Sequence, residues 1–386
     1  MHLRQAFKKL RHNLTINWLE KLERLSPEEF SLSGVKSWQD LYHLVVLPRF
    51  KEDKEVVVAT VESLLRSAYP KNKIMVVIGL EERAGREANA SLREFLEKEY
   101  GHKFFKFLIT EHPANLPGEL AGKGANAAFA ARQAKEKIID PLGLNYEHII
   151  VSNFDVDTVV PEHYFSRLSY LYLTVEDPLR ASYQPIPLYT NNIWEAPALA
   201  RVVAFSASFW HTIQQERPEK LTTFSSHSMP FKVLVEVDFW QNNMVSEDSR
   251  IFWQALLRYD GRYRVVPMFM PVAMDANVAP SFWQTIKNIY KQQRRWAYGV
   301  ENVPYFLFGF YKNKKISLQE KIYYIFHKIE GYHSWATNAI IIFLLGWLPV
   351  VVGGPQFNQT VLSLNLPQFT RAIMSLAMVG LISSAV

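Results

Sequence analysis

Residues 149–157 read Ile149-Ile150-Val151-Ser152-Asn153-Phe154-Asp155-Val156-Asp157, and they decide the fold. A short apolar run bounded by turn residues reads as a buried strand. This one runs straight into an acidic turn. Alternate residues of an extended chain share a face, so Asp155 and Asp157 present two hard oxygen ligands to one point. Mg²⁺ typically takes one or two carboxylates plus phosphate oxygens. The pair therefore suits Mg²⁺ or Mn²⁺ bridging a diphosphate. An isolated pair at this spacing is more often two solvated turn carboxylates. Here it stands at a strand end, where α/β sheets bind their ligands.

Upstream, strand-like and helix-like pieces alternate. Leu44-Val45-Val46-Leu47 is a short strand ended by Pro48. Residues 54–67 carry Val57, Val61, Leu64 and Leu65 on one helical face. Lys73 to Ile78 reads as a strand, 86–99 as a helix, Lys103 to Ile109 as a strand and the Ala-rich 123–139 as a helix. Strands separated by helices indicate an α/β fold with a mostly parallel central sheet.

Downstream stand two further sets. Ser246-Glu247-Asp248 precedes Arg250 and the apolar-aromatic stretch Ile251 to Leu257. Ser246 as an N-cap, with the acids in the first turn, explains the set without any function. The functional alternative makes Asp248 a general base that deprotonates a hydroxyl. In Gln292-Gln293-Arg294-Arg295-Trp296, Gln292, Arg295 and Trp296 fall on one helical side. Arg suits a diphosphate because its donors fork, and an indole offers a face to a sugar ring. An Arg-rich surface helix facing a membrane is the alternative.

The 386 residues carry a net charge of +6 and no Cys. Without Cys there is no disulfide framework, zinc ribbon or thiol nucleophile. The charge is uneven. Residues 1–24 hold six basic and two acidic residues, 286–330 hold nine and three, and 331–386 hold Arg371 alone. The body between is acidic, which argues against a nucleic-acid partner. Leu3, Phe7, Leu10, Leu14 and Trp18 give residues 1–24 an amphipathic helical spacing. Such a helix lies on an anionic membrane surface or packs on its own domain. Trp335 to Val352 is an apolar run about long enough to cross a bilayer. Lys312, Lys314, Lys315, Lys321 and Lys328 precede it, so the positive-inside rule puts the preceding domain in the cytoplasm. A second run, Ala372 to Val386, is short for a span. Residues 1–45 lack the apolar core of a signal peptide.

Taken in order, these sets resemble the membrane-bound branch of glycosyltransferase family 2, with the cellulose, hyaluronan and ceramide-glucoside synthases. Pro48 to Glu52 is similar to the family's opening P-x-x-x-E turn, Asp155 to Asp157 to its D-x-D, Ser246 to Asp248 to its T/S-E-D, and Gln292 to Trp296 to its Q-x-x-R-W. The resemblance covers roughly residues 41–350. It implies a GT-A nucleotide-sugar-binding fold followed by interfacial and transmembrane helices. The implied activity is inverting, metal-dependent glycosyl transfer from a nucleoside-diphosphate sugar, a UDP-hexose, to a glycan or lipid hydroxyl at the cytoplasmic face of a membrane. It implies Asp157 for the metal, Asp155 near the nucleotide or the metal, Asp248 as base, Arg295 for the diphosphate and Trp296 for the acceptor. Lys123, in Gly122-Lys123-Gly124-Ala125-Asn126, looks like the donor-binding segment, or else a helix-start turn. Pro48, Glu52, Glu247 and Gln292 join the implied substrate site.

Three departures stand out. The second strand ends in Glu81-Glu82 rather than the family's Asp pair, so Glu81 or Glu82 is the candidate base reader. No double glycine precedes Ser246. The helices that usually precede the catalytic domain have no counterpart before residue 41. The expected organisation is a basic segment 1–40, a cytoplasmic catalytic domain 41–285, interfacial helices 286–333 and membrane segments 334–386. Membrane lipids are expected partners. A catalytically inactive, glycosyltransferase-like membrane scaffold is the competing reading.

Overall fold

Two short helices, α1 (His2–Leu14) and α2 (Trp18–Glu23), precede β1 (Tyr42–Pro48). The chain then alternates through α3 (Lys54–Arg66), β2 (Ile74–Glu81), α4 (Arg86–Tyr100), β3 (Lys106–His112), α5 (Lys123–Ala134) and β4 (Ile149–Asn153). Next come α6 (Tyr164–Thr174), β5 (Ala181–Tyr189), α7 (Ala198–Gln214), β6 (Ser228–Pro230), α8 (Phe231–Glu236), α9 (Glu247–Arg258) and β7 (Arg264–Met274). Helices α10 (Phe282–Ala297), α11 (Asn302–Lys312), α12 (Leu318–Val352), α13 (Gly354–Asn358) and α14 (Val361–Ala385) follow β7, with a 3₁₀ turn (Tyr298–Glu301) between α10 and α11. The computed structural model describes residues 2–385, apart from the side chains of 339, 342–343, 345–347, 381 and 384–385.

The sheet order is β3-β2-β1-β4-β6-β5-β7. β1 pairs in parallel with β2 on one side and β4 on the other. β6 is antiparallel to both β4 and β5, and β5 pairs in parallel with β7. The chain builds outward from β1 through β2 to β3, then returns to β4 on the other flank. The carboxyl ends of β1 and β4 thus form a topological switch point, the place where open α/β sheets take ligands. Asp155 and Asp157 follow β4 there.

Continuous apolar strands are buried on both faces. Val45, Leu47, Val76 and Ile78 enter one core with α3, α4 and α6, while Leu44, Val46, Met75 and Val77 enter a second with α5, α8 and α9. α5 packs close because its inward residues are small: Ala127, Ala130, Ala131 and Ala134 are fully buried. Asn126 Nδ2 donates to Gly79 O at 2.7 Å, fastening the helix to β2.

The N-terminal helix packs on its own domain. Ala6 and Leu10 are buried, Asn13 Nδ2 donates to Phe269 O at 3.0 Å, and Lys9 pairs with Glu216 at 2.9 Å. The expected span is not met. Among the described residues no helix is long and apolar enough to cross a membrane. Trp335–Val352 lies within α12, and its positions 339, 342–343 and 345–347 fall outside the described side chains. The cationic flank is also partly used by the fold. Lys315 pairs with Asp260 at 3.0 Å, Lys321 donates to Asn313 O and Lys328 to Thr222 Oγ1.

A Cβ on Gly79 would stand 2.3 Å from Asn126 Oδ1. Gly79→Ala therefore has to displace the Asn126 side chain, and overpacking of this kind costs about 1–3 kcal/mol. A fall of several degrees in melting temperature is expected. An unchanged melting temperature would refute this account of the α5–β2 contact.

Candidate active site

Three segments meet at the switch point. β4 delivers Asn153 and the acidic turn, the start of α5 delivers Lys123, and the start of α9 delivers Glu247 and Asp248. The close approach of α5 and α9 needs Gly124, where a Cβ would lie 2.9 Å from Glu247 Cβ and 3.0 Å from Gln241 O. As a result Lys123 Nζ stands 2.7 Å from Asp155 Oδ1 and 3.0 Å from Asp248 Oδ2. One ammonium bridges the D-x-D and the S-E-D.

The carboxylates differ in their settings. Asp155 Oδ2 accepts a short hydrogen bond from Ser225 Oγ. Burial opposes its charge, but Lys123, Ser225 and Arg295 outweigh that and hold the carboxyl below its usual value. Asp157 Oδ2 accepts from Asp275 N at 3.1 Å, while its buried Oδ1 has no partner. Burial and the Asp155 charge push Asp157 up to about 7. Asp248 accepts from Asn153 Nδ2 at 3.2 Å as well as from Lys123. Glu247 is buried, and burial with the Asp248 charge pushes it up to about 8. For Lys123, burial opposes the charge, yet Asp155 and Asp248 raise it above the usual lysine value.

Ser246 does not cap α9. Its Oγ donates instead to Glu301 Oε1 at 2.8 Å, in the turn after α10. Arg250 reinforces that link through Asn302 Oδ1 at 2.7 Å and Glu301 O at 3.1 Å. The S-E-D and Q-x-x-R-W segments are thereby tied together. On α10, Gln292 and Trp296 continue the inward row of Thr285 and Ile289. With Tyr189, Ala200, Val203 and Ala204 they line a narrow slot of about 10 Å³ beside α7, room for about one water. Trp296 is half-buried there. Arg295 lies to the side, exposed, with its charge acting on Asp155.

The opening turn is less involved. Pro48 ends β1 against Gly79. The Glu52 carboxylate accepts from Phe50 N at 2.8 Å and so serves its own turn. Glu81 is buried at the end of β2, 3.0 Å from Arg83 and 3.5 Å from His112. Burial would raise it, but the nearby His112 ring and the hydrogen bond from Arg83 hold it below its usual value.

Four site residues carry no motif. Asn153 and Ser225 hold the acids as described. Tyr189, at the end of β5, is half-buried beside the carboxylates, and its hydroxyl is raised, by burial first. His227 donates from Nδ1 to Phe224 O at 2.8 Å and accepts at Nε2 from Trp240 Nε1 at 3.2 Å. It stands 3.8 Å from Asp248 as a neutral ring, held below its usual value by burial.

A family model, described as glycosyl transferase family group 2, matches residues 150–381. The chain belongs to that family. It is a glycosyltransferase. The match spans the D-x-D, the S-E-D and the Q-x-x-R-W. Among solved structures, the mannosyltransferase PcManGT from Pyrobaculum calidifontis, in complex with GDP-Man and Mn²⁺, is similar at 15% identity and TM-score 0.54 over 100% of this chain and 93% of that one. That likeness supports the GT-A-like fold of the glycosyltransferase. TarS 1-349 from S. aureus aligns at 13% identity and TM-score 0.47, over 86% of this chain and 87% of that one. No curated protein matches.

The proton on Glu247 gives a stability test. Its carboxyl titrates near 8 in the folded chain and near the ordinary 4.5 when unfolded. Between those values the folded state holds a proton that the unfolded state gives up, so stability falls as pH rises through that window. Glu247→Gln removes this penalty. Its melting temperature is expected to gain on that of the wild type from pH 5 to pH 8.5. Parallel pH curves would show that Glu247 is not held protonated.

Proposed function

We propose that this glycosyltransferase moves a hexose from a nucleoside-diphosphate sugar, UDP-hexose foremost, to a glycan or lipid hydroxyl with inversion at the anomeric carbon. One observation carries the reading: Lys123 brings Asp155 and Asp248 to a single point at the switch point of the sheet. A carboxylate suited to the donor and one suited to the acceptor then flank the same space.

Asp248, on the first turn of α9, takes the proton of the acceptor hydroxyl. The oxygen forms its bond to the anomeric carbon as the bond from that carbon to the diphosphate breaks on the opposite face. Negative charge grows on the departing diphosphate. Arg295 meets it with a forked donor set and Lys123 with a point charge. Asn153 holds the orientation of Asp248 throughout. Glu81, fixed by Arg83 and His112, is the proposed contact for the base of the nucleotide.

The donor set fits a divalent ion. Asp157 Oδ1 is buried without a partner, and Asp155 lies two residues away. Among the described residues no group of three or more acids and histidines forms a closed metal cage. That suits Mg²⁺ or Mn²⁺, whose remaining ligands are phosphate oxygens and water. When bound, the ion supplies Lewis-acid charge to the diphosphate. The Mn²⁺ and GDP-Man in the complex of the Pyrobaculum enzyme accord with this.

We further place the enzyme at a membrane, with its catalytic half in the cytoplasm. The support is the composition of 331–386, with Arg371 as its one charge, and the exposed apolar side chains of α14.

The test is release of nucleoside diphosphate from a panel of nucleotide sugars with Mn²⁺. Asp248→Asn is expected to lower kcat about 10²- to 10⁴-fold, the usual worth of a general base. Asp157→Ala is expected to abolish the metal response. Full activity in either variant would remove the residue assignments. Titration calorimetry that detects no nucleotide-sugar binding would favour an inactive scaffold instead.

A second expectation concerns metal affinity. Asp157 titrates at about 7, and only the ionised carboxylate binds a cation well. Mn²⁺ affinity, measured by titration, should rise from pH 5.5 to pH 8 and then level off. A flat profile would show that Asp157 is not a ligand.

A further inference from the structure

α7 has two unlike faces. Its inner face is small and packs on the sheet and the slot: Ala200 and Ala204 are buried, and so is Thr212. Its outer row of Leu199, Phe205, Ser206, Phe209 and Trp210 is exposed and uncharged. Trp194, just before the helix, is 81% exposed. Soluble surfaces rarely carry a contiguous aromatic patch of this kind without a partner.

Two neighbours say what covers it. α14 packs against α7 and turns its own apolar residues outward, Leu376 at 74% exposure among them. α10 also packs against α7. Its outer row, Trp283, Lys287, Tyr290 and Arg294, alternates aromatic rings with cations, and α10 contains no acid. Aromatic rings with cations and no acids suit a lipid headgroup layer that carries negative charge. An uncharged row beside them suits the acyl boundary. A water-soluble protein partner would not call for both together.

We propose that the outer face of α7 and the aromatic start of α10 dock on an anionic bilayer surface, continuing the apolar face of α14 onto the catalytic half. The inference rests on the membrane part of the preceding reading and extends it from the carboxyl-terminal helices to the catalytic body.

The chain has no Cys, so single introduced thiols are unique labelling sites. Phe209→Cys and Trp283→Cys test the new surface, Leu376→Cys tests α14, and Glu94→Cys on α4 is the aqueous control. Each full-length variant is spin-labelled and reconstituted into phosphatidylcholine–phosphatidylglycerol nanodiscs. Collision with oxygen is then compared with collision with a water-soluble nickel chelate. The expected result is oxygen-dominated collision at 209 and 376, an intermediate ratio at 283, and nickel-dominated collision at 94. An aqueous signal at 209 with a lipid signal at 376 would overturn this inference and leave the membrane reading standing. An aqueous signal at 376 would overturn both. Dipolar coupling between 209 labels of two chains would mean that a second copy covers the face, and would overturn the inference. Nucleoside diphosphate release by the same variants keeps the glycosyl-transfer reading a separate question.

Discussion

The bridge from Lys123 to Asp155 and Asp248 is the contact on which the rest of the site depends. It joins three segments far apart in sequence: the start of α5, the turn after β4 and the start of α9. None of them holds the site alone. Asp248 would face Asn153 without a countercharge, and Asp155 would keep only Ser225 and the more distant Arg295. Removing one partner of a half-buried ionic cluster leaves the others uncompensated. Two glycines make the bridge possible. Gly79 lets α5 settle on β2 through Asn126, and Gly124 lets α9 close on α5.

The same bridge sets the protonation pattern. Four carboxyls crowd the space, while Lys123 and Arg295 are the cations whose charge reaches Asp155. Asp155 is held ionised by Lys123. Asp157 and Glu247 are pushed the other way, by burial and by the charges of Asp155 and Asp248. Like charges in a low-dielectric site cannot all ionise together. A donor diphosphate with its cation would change that balance, because it brings positive charge to Asp157 and negative charge to Lys123. The resting site therefore holds Asp155 ionised while burial and neighbouring charge oppose the ionisation of Asp157 and Glu247.

The parallel half of the sheet was legible because its strands are continuous apolar runs buried on both faces, and because its helices carry a clean 3.6 period. β5 and β7 were not. β5 contains Pro185 and Pro187, and β7 contains Pro267 and Pro271. Proline argues against an interior strand. Here Pro185 falls on the register shift between Gln184 and Ile186, and β7 stands at the sheet edge. At the site, Asp155, Asp157 and Asp248 were legible from the residues and Lys123 from the family resemblance; Lys123 does join Asp155 and Asp248, with Asp157 following in the same turn. Asn153, Ser225, Tyr189 and His227 were not, because Tyr189 ends β5, Ser225 and His227 lie in the loop before β6, and Asn153 takes its role from Asp248 on the distant α9. Glu52 and Trp296 show the converse. Their spacing suits a substrate site, yet one carboxylate serves its own turn and the indole is half-buried in the slot beside α7.

The slot beside α7 joins the two ends of the molecule. Gln292 and Trp296 sit on the inner row of α10, and the same helix continues through a turn whose Glu301 holds Ser246 at the head of α9. α7 lines the slot with alanines, and it packs on β5, α1, α10 and α14 as well. Its inner face touches the slot and its outer face carries the exposed aromatic row, so only one helix diameter, about 10 Å, separates them. Any surface that binds the outer row touches the helix that lies beside Trp296. The residues proposed to meet the acceptor and those proposed to meet a membrane are opposite faces of one helix and its neighbour. For that reason the carboxyl-terminal layer belongs in any account of the active site.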